Sequence, residues 1–198
     1  MRAPNKAIRR ERHITPTIED IVAKLSGSTV FIKVNLNAGY HQLELEVESC
    51  YITTFSTHNG LFCHKRLNFG ILCAAEIFQN IIADILNDIP GVINVSDHIL
   101  LFAPNQMEHD KTLRAVLQTR RQKGLALNAK KCEFCKSQIG FFGHTFSDKG
   151  LSPDMKKVEA VKNSTTPRNK EELQSCLGMV TYLGRFIPNM SHLTEPLR

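Results

Sequence analysis

The pattern of apolar and polar positions divides the chain into short strands and amphipathic helices. Apolar, β-branched and aromatic residues fill Val30–Leu36, which predicts a strand. Apolar residues recur at helical spacing over Ala74–Leu86, and a second amphipathic helix is predicted over Glu108–Lys123. Between these helices, Val92–Val95 and Ile99–Phe102 flank a polar tip, which predicts a tight hairpin.

The segments before the first long helix are shorter and carry weaker patterns. The first 20 residues are polar and basic and predict an irregular arm, followed by a capped helix over Ile18–Leu25. Alternation of apolar and polar residues predicts strands over Tyr40–Val47 and Tyr51–Phe55. A turn at His58–Gly60 would then return the chain in a strand over Leu61–Leu67.

The last third of the chain changes from strands to helices. Short strands are predicted near Leu125–Asn128 and Gln138–His144, and Gly150–Pro153 reads as a break. Two helices follow, over Met155–Lys162 and Lys170–Tyr182. The whole order predicts an α+β fold, with helices packed on one face of a mainly antiparallel sheet.

Composition narrows the class of protein. Hydrophobic residues make up 42% and charged residues 22%, as in soluble globular proteins. We expect no membrane span and no secretory signal, because no apolar run approaches about 18 residues. An intracellular location, cytoplasmic or nuclear, with reduced cysteines is therefore expected. The net charge of +6 suits a polyanionic partner, although surplus solvated lysine gives the same balance.

Two groups of residues suggest chemistry rather than packing. Asp97 gives the tip of the predicted hairpin an acidic character. Cys132 and Cys135, with His144 further on, have part of a zinc pattern, but no second close pair of ligands follows them. The cysteine pair therefore favours a structural role over zinc.

Several segments, in one order, resemble the motifs of gypsy-type LTR retrotransposon reverse transcriptases. They run from motif A through motif E and into the segment beyond it: Phe31–Leu36 with Gly39–Gln42, Leu67–Gly70 with Ala75–Gln79, Val95–Leu100, Gly124–Asn128 with Lys131–Phe134, Phe142–His144 with Gly150 and Pro153–Asp154, and Leu177–Met179 with Tyr182 and Arg185–Asn189. This ordered resemblance covers the chain from Arg2 to Arg198.

The resemblance implies a right-hand polymerase palm with partial fingers and a small helical thumb. Partial fingers plus palm are expected over residues 1–148, and a thumb-like or connection-like helical segment over residues 149–198. Arg2–Lys6 resembles the middle of a fingers strand, so the upstream fingers are expected to be missing. We likewise expect no ribonuclease H, protease or integrase domain after Arg198.

The family's catalytic residues are only partly matched. The resemblance implies three aspartates that hold two Mg²⁺ or Mn²⁺ ions, but their positions here are Asn35, Asp97 and His98. Asp97 is thus the one carboxylate expected to bind metal, and polymerisation is expected to be impaired. Lys131 matches a lysine that protonates the leaving pyrophosphate, unless it is simply solvated.

The resemblance also implies nucleotide and template contacts. Tyr40 matches a gate beneath the incoming sugar, Phe69 a position beside the nucleotide, and Arg2 a fingers arginine that contacts the nucleotide. Gln79 would face the template or cap polar surface. Tyr40 and Phe69 are alternatively plain core residues.

The implied partners are an RNA or DNA template-primer and a deoxynucleoside triphosphate. Three hypotheses follow for the function. The chain is a weakened reverse transcriptase, an active polymerase whose metal site another group completes, or a module that binds nucleic acid or a partner protein without catalysis. Loss of carboxylates at two separate motifs argues against the active polymerase.

Overall fold

The structure is a computed structural model, which describes the backbone of residues 2–10 and 15–197 and the side chains of residues 4–10 and 15–197. The chain forms two compact units, Met1–Ile139 and Gly140–Arg198. The helices are α1 (Arg2–Ala7), α2 (Ile18–Leu25), α3 (Val47–Ile52), α4 (Ala74–Leu86), α5 (Gln106–Lys123), α6 (Met155–Lys162), α7 (Lys170–Tyr182) and α8 (Met190–Thr194). The strands are β1 (Val30–Asn35), β2 (Phe55–Thr57), β3 (Gly60–Phe62), β4 (Val92–Val95), β5 (His98–Ala103), β6 (Glu133–Lys136), β7 (Gln138–Phe141), β8 (His144–Ser147) and β9 (Gly150–Pro153).

A four-stranded sheet in the order β4-β5-β1-β6 organises the first unit. All of its pairings are antiparallel. Strand β1 therefore lies at the centre, between the β4–β5 hairpin and the edge strand β6. The predicted α+β fold with a polymerase palm is confirmed.

The core of this unit forms where α4 and α5 pack against the sheet. Ile32 and Val34 of β1 join Phe78 and Ile82 of α4 and Val116 of α5 in one buried cluster, and each of these five is at most 1% exposed. The alternation of β1 and the helical spacing of α4 thus bring their apolar faces together. This packing fixes the end of β1 against the β4–β5 hairpin.

Several local predictions are confirmed at residue level. Thr17 forms a reciprocal capping box with Asp20 at the start of α2, which satisfies helix-end donors. Gly124 ends α5 in the left-handed conformation, with φ of 71°. The hairpin with Asp97 at its tip forms as predicted, since Val95 pairs with His98 and leaves a two-residue turn.

Other local predictions are wrong. Residues 2–7 form helix α1, neither an irregular arm nor a fingers strand. The segment predicted as a strand over Tyr40–Val47 instead begins with a 3-10 turn, Gly39–Gln42, and ends where helix α3 starts. Strand β9 occupies the expected break at Gly150–Pro153, and Leu127 makes only an isolated bridge, to Leu36. Around Tyr40–Val47 and at Leu127 the backbone bridges are to distant residues, Glu44 to Arg66 and Leu127 to Leu36, which short alternation patterns do not report.

The second unit contains the end of β7, strands β8 and β9, which join β7 in a three-stranded sheet, and helices α6 to α8. Strands β8 and β9 are antiparallel, with Thr145 opposite Ser152. Its assignment to a thumb-like segment remains a prediction. Across the part of the chain that the structure describes, no helix is long and apolar enough to cross a membrane.

Candidate cation and nucleotide site

The end of β1 and the tip of the β4–β5 hairpin place three predicted site residues side by side. Asn35 is the last residue of β1 and pairs directly with His98, the first residue of β5. Asp97 precedes His98 in the turn, and its carbonyl oxygen accepts a hydrogen bond from Leu36 N at 2.8 Å. The strand that carries Asn35 is thus fastened to the turn that carries Asp97.

The Asn35 side chain binds both of its neighbours. Its Nδ2 donates to Asp97 Oδ2 at 3.4 Å and to His98 Nδ1 at 2.6 Å. The other ring nitrogen of His98, Nε2, is 3.9 Å from Asp97 Oδ1. Asn35 is 3% exposed, whereas the Asp97 and His98 side chains are 40% and 46% exposed. The group therefore opens to solvent on the hairpin side.

The side chain of Gln79 in α4 forms hydrogen bonds with the backbone of the β4–β5 hairpin. Its Oε1 accepts from Ser96 N at 2.7 Å, and its Nε2 donates to Asn94 O at 3.0 Å. Asn94 returns a bond from Nδ2 to Gln79 O at 3.4 Å. Gln79 is 5% exposed. Both ends of the amide are bound to the hairpin, and contact of Gln79 with a template remains a prediction.

The turn itself is strained at one residue. Ser96 has φ of 55°, in the left-handed region that side chains other than glycine seldom adopt. The hydrogen bond from Ser96 N to Gln79 is made by this same residue. The buried amide thus supports an unfavourable backbone conformation next to Asp97.

Aromatic rings lie next to this group. Tyr40 contacts Phe69 at 4.9 Å and Phe78 at 5.1 Å between ring centroids. Its neighbour Gly39 is close to Asp97, because a Cβ at Gly39 would lie 3.3 Å from Asp97 Cβ and 3.1 Å from Phe78 Cζ. The backbone just before Tyr40 therefore lies close to Asp97 and Phe78, where a side chain at position 39 would be tightly packed.

Phe69 is not a core residue. It is 70% exposed, and its ring lies 5.8 Å from His41 and against Tyr40. An exposed ring of this size next to Tyr40 offers a flat surface for stacking. The alternative that Phe69 is plain core is wrong, whereas its contact with a nucleotide remains a prediction.

Lys131, the predicted proton donor to pyrophosphate, lies outside the group formed by Asn35, Asp97 and His98. It ends the exposed 3-10 turn Ala129–Lys131, and no contact joins its ammonium to Asn35, Asp97 or His98 in the described residues. The backbone of this turn is connected to the site, because Asn128 N donates to Asn35 O at 2.8 Å. Arg2 lies outside the described side chains.

The sequence analysis did not identify the residues that join the segment after β1 to Ala126, which lies shortly before this turn. Gln42 accepts from Ala126 N at 2.7 Å through Oε1, and its Nε2 donates to Ala126 O at 3.0 Å and to Asn37 O. Asn37 N in turn donates to Ala126 O at 2.8 Å. The polar residues at positions 37 and 42 were the available signal, but their partner is more than 80 residues away.

The site does not fit a pair of hard divalent cations. Mg²⁺ and Mn²⁺ prefer anionic oxygen ligands, and the group supplies one carboxylate, one neutral amide and one imidazole. The amide presents N–H donors to Asp97, which are repelled by a cation. No cluster of three or more His, Cys, Asp or Glu side chains with metal-binding geometry occurs in the described part of the chain.

A separate polar cluster lies within the second unit. His144 stacks on Tyr182 at 5.7 Å, and Lys157 Nζ lies 3.6 Å from the centre of the Tyr182 ring. Burial of His144, together with the nearby positive charge of Lys157, lowers the pKa of this imidazole below its usual 6.5. The imidazole is therefore neutral at physiological pH.

Together, the antiparallel sheet, the acidic hairpin and the helices behind it define the palm of a right-hand polymerase. The family described as reverse transcriptase (RNA-dependent DNA polymerase) matches residues 1–146. The chain belongs to the reverse transcriptase family, as a domain of a retrotransposon polyprotein.

Two curated relatives are polyproteins of fission yeast. The Transposon Tf2-7 and Tf2-3 polyproteins of Schizosaccharomyces pombe are each 35% identical over 195 residues, which is 98% of this chain. The chain spans 15% of the length of each.

Solved structures of foamy viral protease-reverse transcriptases share the fold. One, in complex with double-stranded DNA, is 26% identical with a TM-score of 0.91, covering 99% of this chain and 35% of that one. Another, in complex with an RNA/DNA hybrid, is 26% identical with a TM-score of 0.88, covering 99% of this chain and 27% of that one.

Proposed function

We propose that this chain is the reverse transcriptase domain of a gypsy-type retrotransposon polyprotein and that its polymerase activity is lost or much reduced. The observation that carries the proposal is the amide of Asn35, which donates to Asp97 Oδ2 at 3.4 Å and to His98 Nδ1 at 2.6 Å. A hydrogen-bonded polar group thus occupies the position where the family would hold cations.

The chemical reason is charge. Phosphoryl transfer depends on cations that neutralise the triphosphate and the leaving group. With one carboxylate in place of three, the site attracts a divalent ion far less. Losing one interaction specific to the transition state typically costs about 3 kcal/mol, roughly a hundredfold in rate.

A primer-extension assay with Mg²⁺ or Mn²⁺ tests the impairment. The unmodified chain is expected to incorporate no nucleotide on an RNA template with a DNA primer. Asn35→Asp combined with His98→Asp is expected to gain incorporation, because it restores the family's three carboxylates. The matched control adds Asp97→Asn to the same double variant and is expected to be inactive. Extension by the unmodified chain contradicts the proposal.

The remaining function is binding of a template-primer duplex. The net charge of +6 favours a polyanion, and the similar foamy viral proteins are seen with double-stranded DNA and with an RNA/DNA hybrid. Deoxynucleoside triphosphate binding through Tyr40 and Phe69 is part of the same proposal. Their rings lie together, next to Gly39, whose backbone approaches Asp97, and Phe69 is largely exposed.

Fluorescence anisotropy with a labelled RNA–DNA hybrid tests this binding. If two phosphates are neutralised, affinity should fall about tenfold between about 50 and 200 mM salt. An affinity that does not change with salt concentration would show that the basic side chains do not contact the phosphates of the hybrid. A non-catalytic module that binds a partner protein is the second candidate, and undetectable binding of the hybrid at low salt would favour it.

A further inference from the structure

Three side chains away from the cation site form a second chemical group. Cys135 Sγ lies 4.0 Å from His109 Nε2, and His109 Nδ1 lies 2.7 Å from Asp110 Oδ1. Cys135 is exposed on the edge strand β6, whereas His109 in α5 is 2% exposed. A thiol, an imidazole and a carboxylate thus follow one another at contact distances.

The protonation of the imidazole follows from its partners. Hydrogen bonds from His109 and from Gln106 hold the pKa of the Asp110 carboxyl below its usual 3.8, so this carboxylate is ionised and only accepts. An ionised carboxylate only accepts, so His109 Nδ1 donates to Asp110 Oδ1, and Gln106 Nε2 lies 3.1 Å from the same ring nitrogen. The other ring nitrogen, Nε2, faces Cys135 Sγ and carries the lone pair when the ring is neutral.

The backbone at Cys135 is unusual. Between the pairs Phe31–Lys136 and Lys33–Glu133, β6 contains one more residue than β1, which is a β-bulge. Cys135 lies in this bulge with φ of 49°, a conformation that favours glycine. Bulges redirect side chains at sheet edges, and this one carries the thiol that contacts His109.

We propose that Cys135 is a nucleophilic modification site, with His109 as the acceptor of its proton and Asp110 as the residue that positions the imidazole. The electrophile is a small hydroperoxide. The thiol proton moves to His109 Nε2, sulfur attacks the terminal oxygen, and the O–O bond breaks. Cys135 is oxidised to a sulfenic acid, the peroxide is reduced, and the leaving oxygen takes the proton from His109.

The chain provides an internal comparison. Cys63 is the other exposed cysteine among the described residues, and no hydrogen bond of its thiol to an imidazole is seen there. Its neighbour His64 instead packs its ring on Phe55 at 5.1 Å. Cys50 and Cys73 are buried and report on intact folding. A difference in rate between Cys135 and Cys63 therefore measures the effect of the neighbouring imidazole.

Residue-resolved alkylation of the whole chain with iodoacetamide at pH 7 tests the proposal. Cys135 is expected to react about tenfold faster than Cys63, because a positioned base accepts its proton. His109→Gln is expected to reduce this ratio to about one, and Asp110→Ala to reduce it by about threefold. Since His109 is buried, Asp110→Ala at an exposed carboxylate serves where His109→Gln fails to fold.

Hydrogen peroxide with dimedone trapping provides the second readout. Trapped sulfenic acid is expected at Cys135 before Cys63, and the preference should weaken with Asp110→Ala and disappear with a folded His109→Gln protein. Equal alkylation and equal trapping of the two cysteines in the unmodified chain would overturn the proposal. So would a preference for Cys135 that is undiminished in Asp110→Ala, since exposure alone would then explain it.

Discussion

The hairpin tip is well supported by hydrogen bonds, but its group of polar side chains contains a single carboxylate. Gln79 binds Asn94 and Ser96, and the Phe78 ring lies against Gly39. On the solvent side of the hairpin, Asp97 contacts the neutral amide of Asn35 and lies beside the imidazole of His98. The geometry of the hairpin and its charge are therefore separate properties, because Gln79 supports the turn whatever side chains stand at positions 35 and 98.

The largest expected effect follows from removing the Gln79 side chain that supports the hairpin turn. Gln79→Ala is expected to lower the free energy of unfolding by about 2–4 kcal/mol, since Ser96 N and Asn94 O lose buried partners. Urea unfolding followed by circular dichroism measures it. Gln122→Ala, at an exposed position of α5, is the matched control and should change stability by less than about 0.5 kcal/mol. A loss no larger than the control's would mean that Gln79 does not hold the hairpin.

An intermediate effect on stability is expected when position 35 carries a carboxylate and no cation is bound. Asn35→Asp is expected to cost about 1–3 kcal/mol, because a buried carboxylate would face Asp97 and lose both donated hydrogen bonds. The same unfolding experiment in a chelator measures this cost, and millimolar Mn²⁺ should recover part of it. Asn59→Asp in the exposed β2–β3 turn is the control. Stability unchanged by Asn35→Asp would show that positions 35 and 97 are not electrostatically coupled.

The smallest effect concerns the strained turn. Ser96→Gly is expected to raise the free energy of unfolding by about 0.5–1 kcal/mol, since glycine adopts φ of 55° without a steric cost. Ser56→Gly in strand β2, where extended backbone suits any residue, should instead be neutral or destabilising. A loss of stability in Ser96→Gly would mean that the serine side chain contributes more than its backbone strain costs.

Sequence reasoning succeeded where the signal was local. The helical spacing of Ala74–Leu86 and the apolar strand at Val30–Asn35 carry their own periodicity, and the ordered motifs placed Asn35 beside Asp97. It failed where a partner is distant. Gln79 reads as a polar residue on a helix, and only its bonds across 15 and 17 residues show that it belongs to the hairpin.

The same limit explains the misassigned segment after β1. Alternation over Tyr40–Val47 resembles a strand, but the Gln42 side chain bonds to Ala126, 84 residues away, and the backbone turns there into a 3-10 helix. Hydrogen bonds to a loop far along the chain leave no periodic pattern in the neighbouring sequence, so local patterns do not predict them. The bulge at Cys135 is hidden for the same reason, since it exists only relative to β1.

Binding of Mn²⁺, followed by electron paramagnetic resonance, tests most directly whether Asn35, Asp97 and His98 are unable to bind a divalent cation. The unmodified chain should bind no more Mn²⁺ than the control variant Asn35→Asp/His98→Asp/Asp97→Asn. The double variant Asn35→Asp/His98→Asp should show an additional bound ion. A curve for the unmodified chain that matches the double variant would contradict the account, because Asn35 and His98 would then serve as well as aspartates.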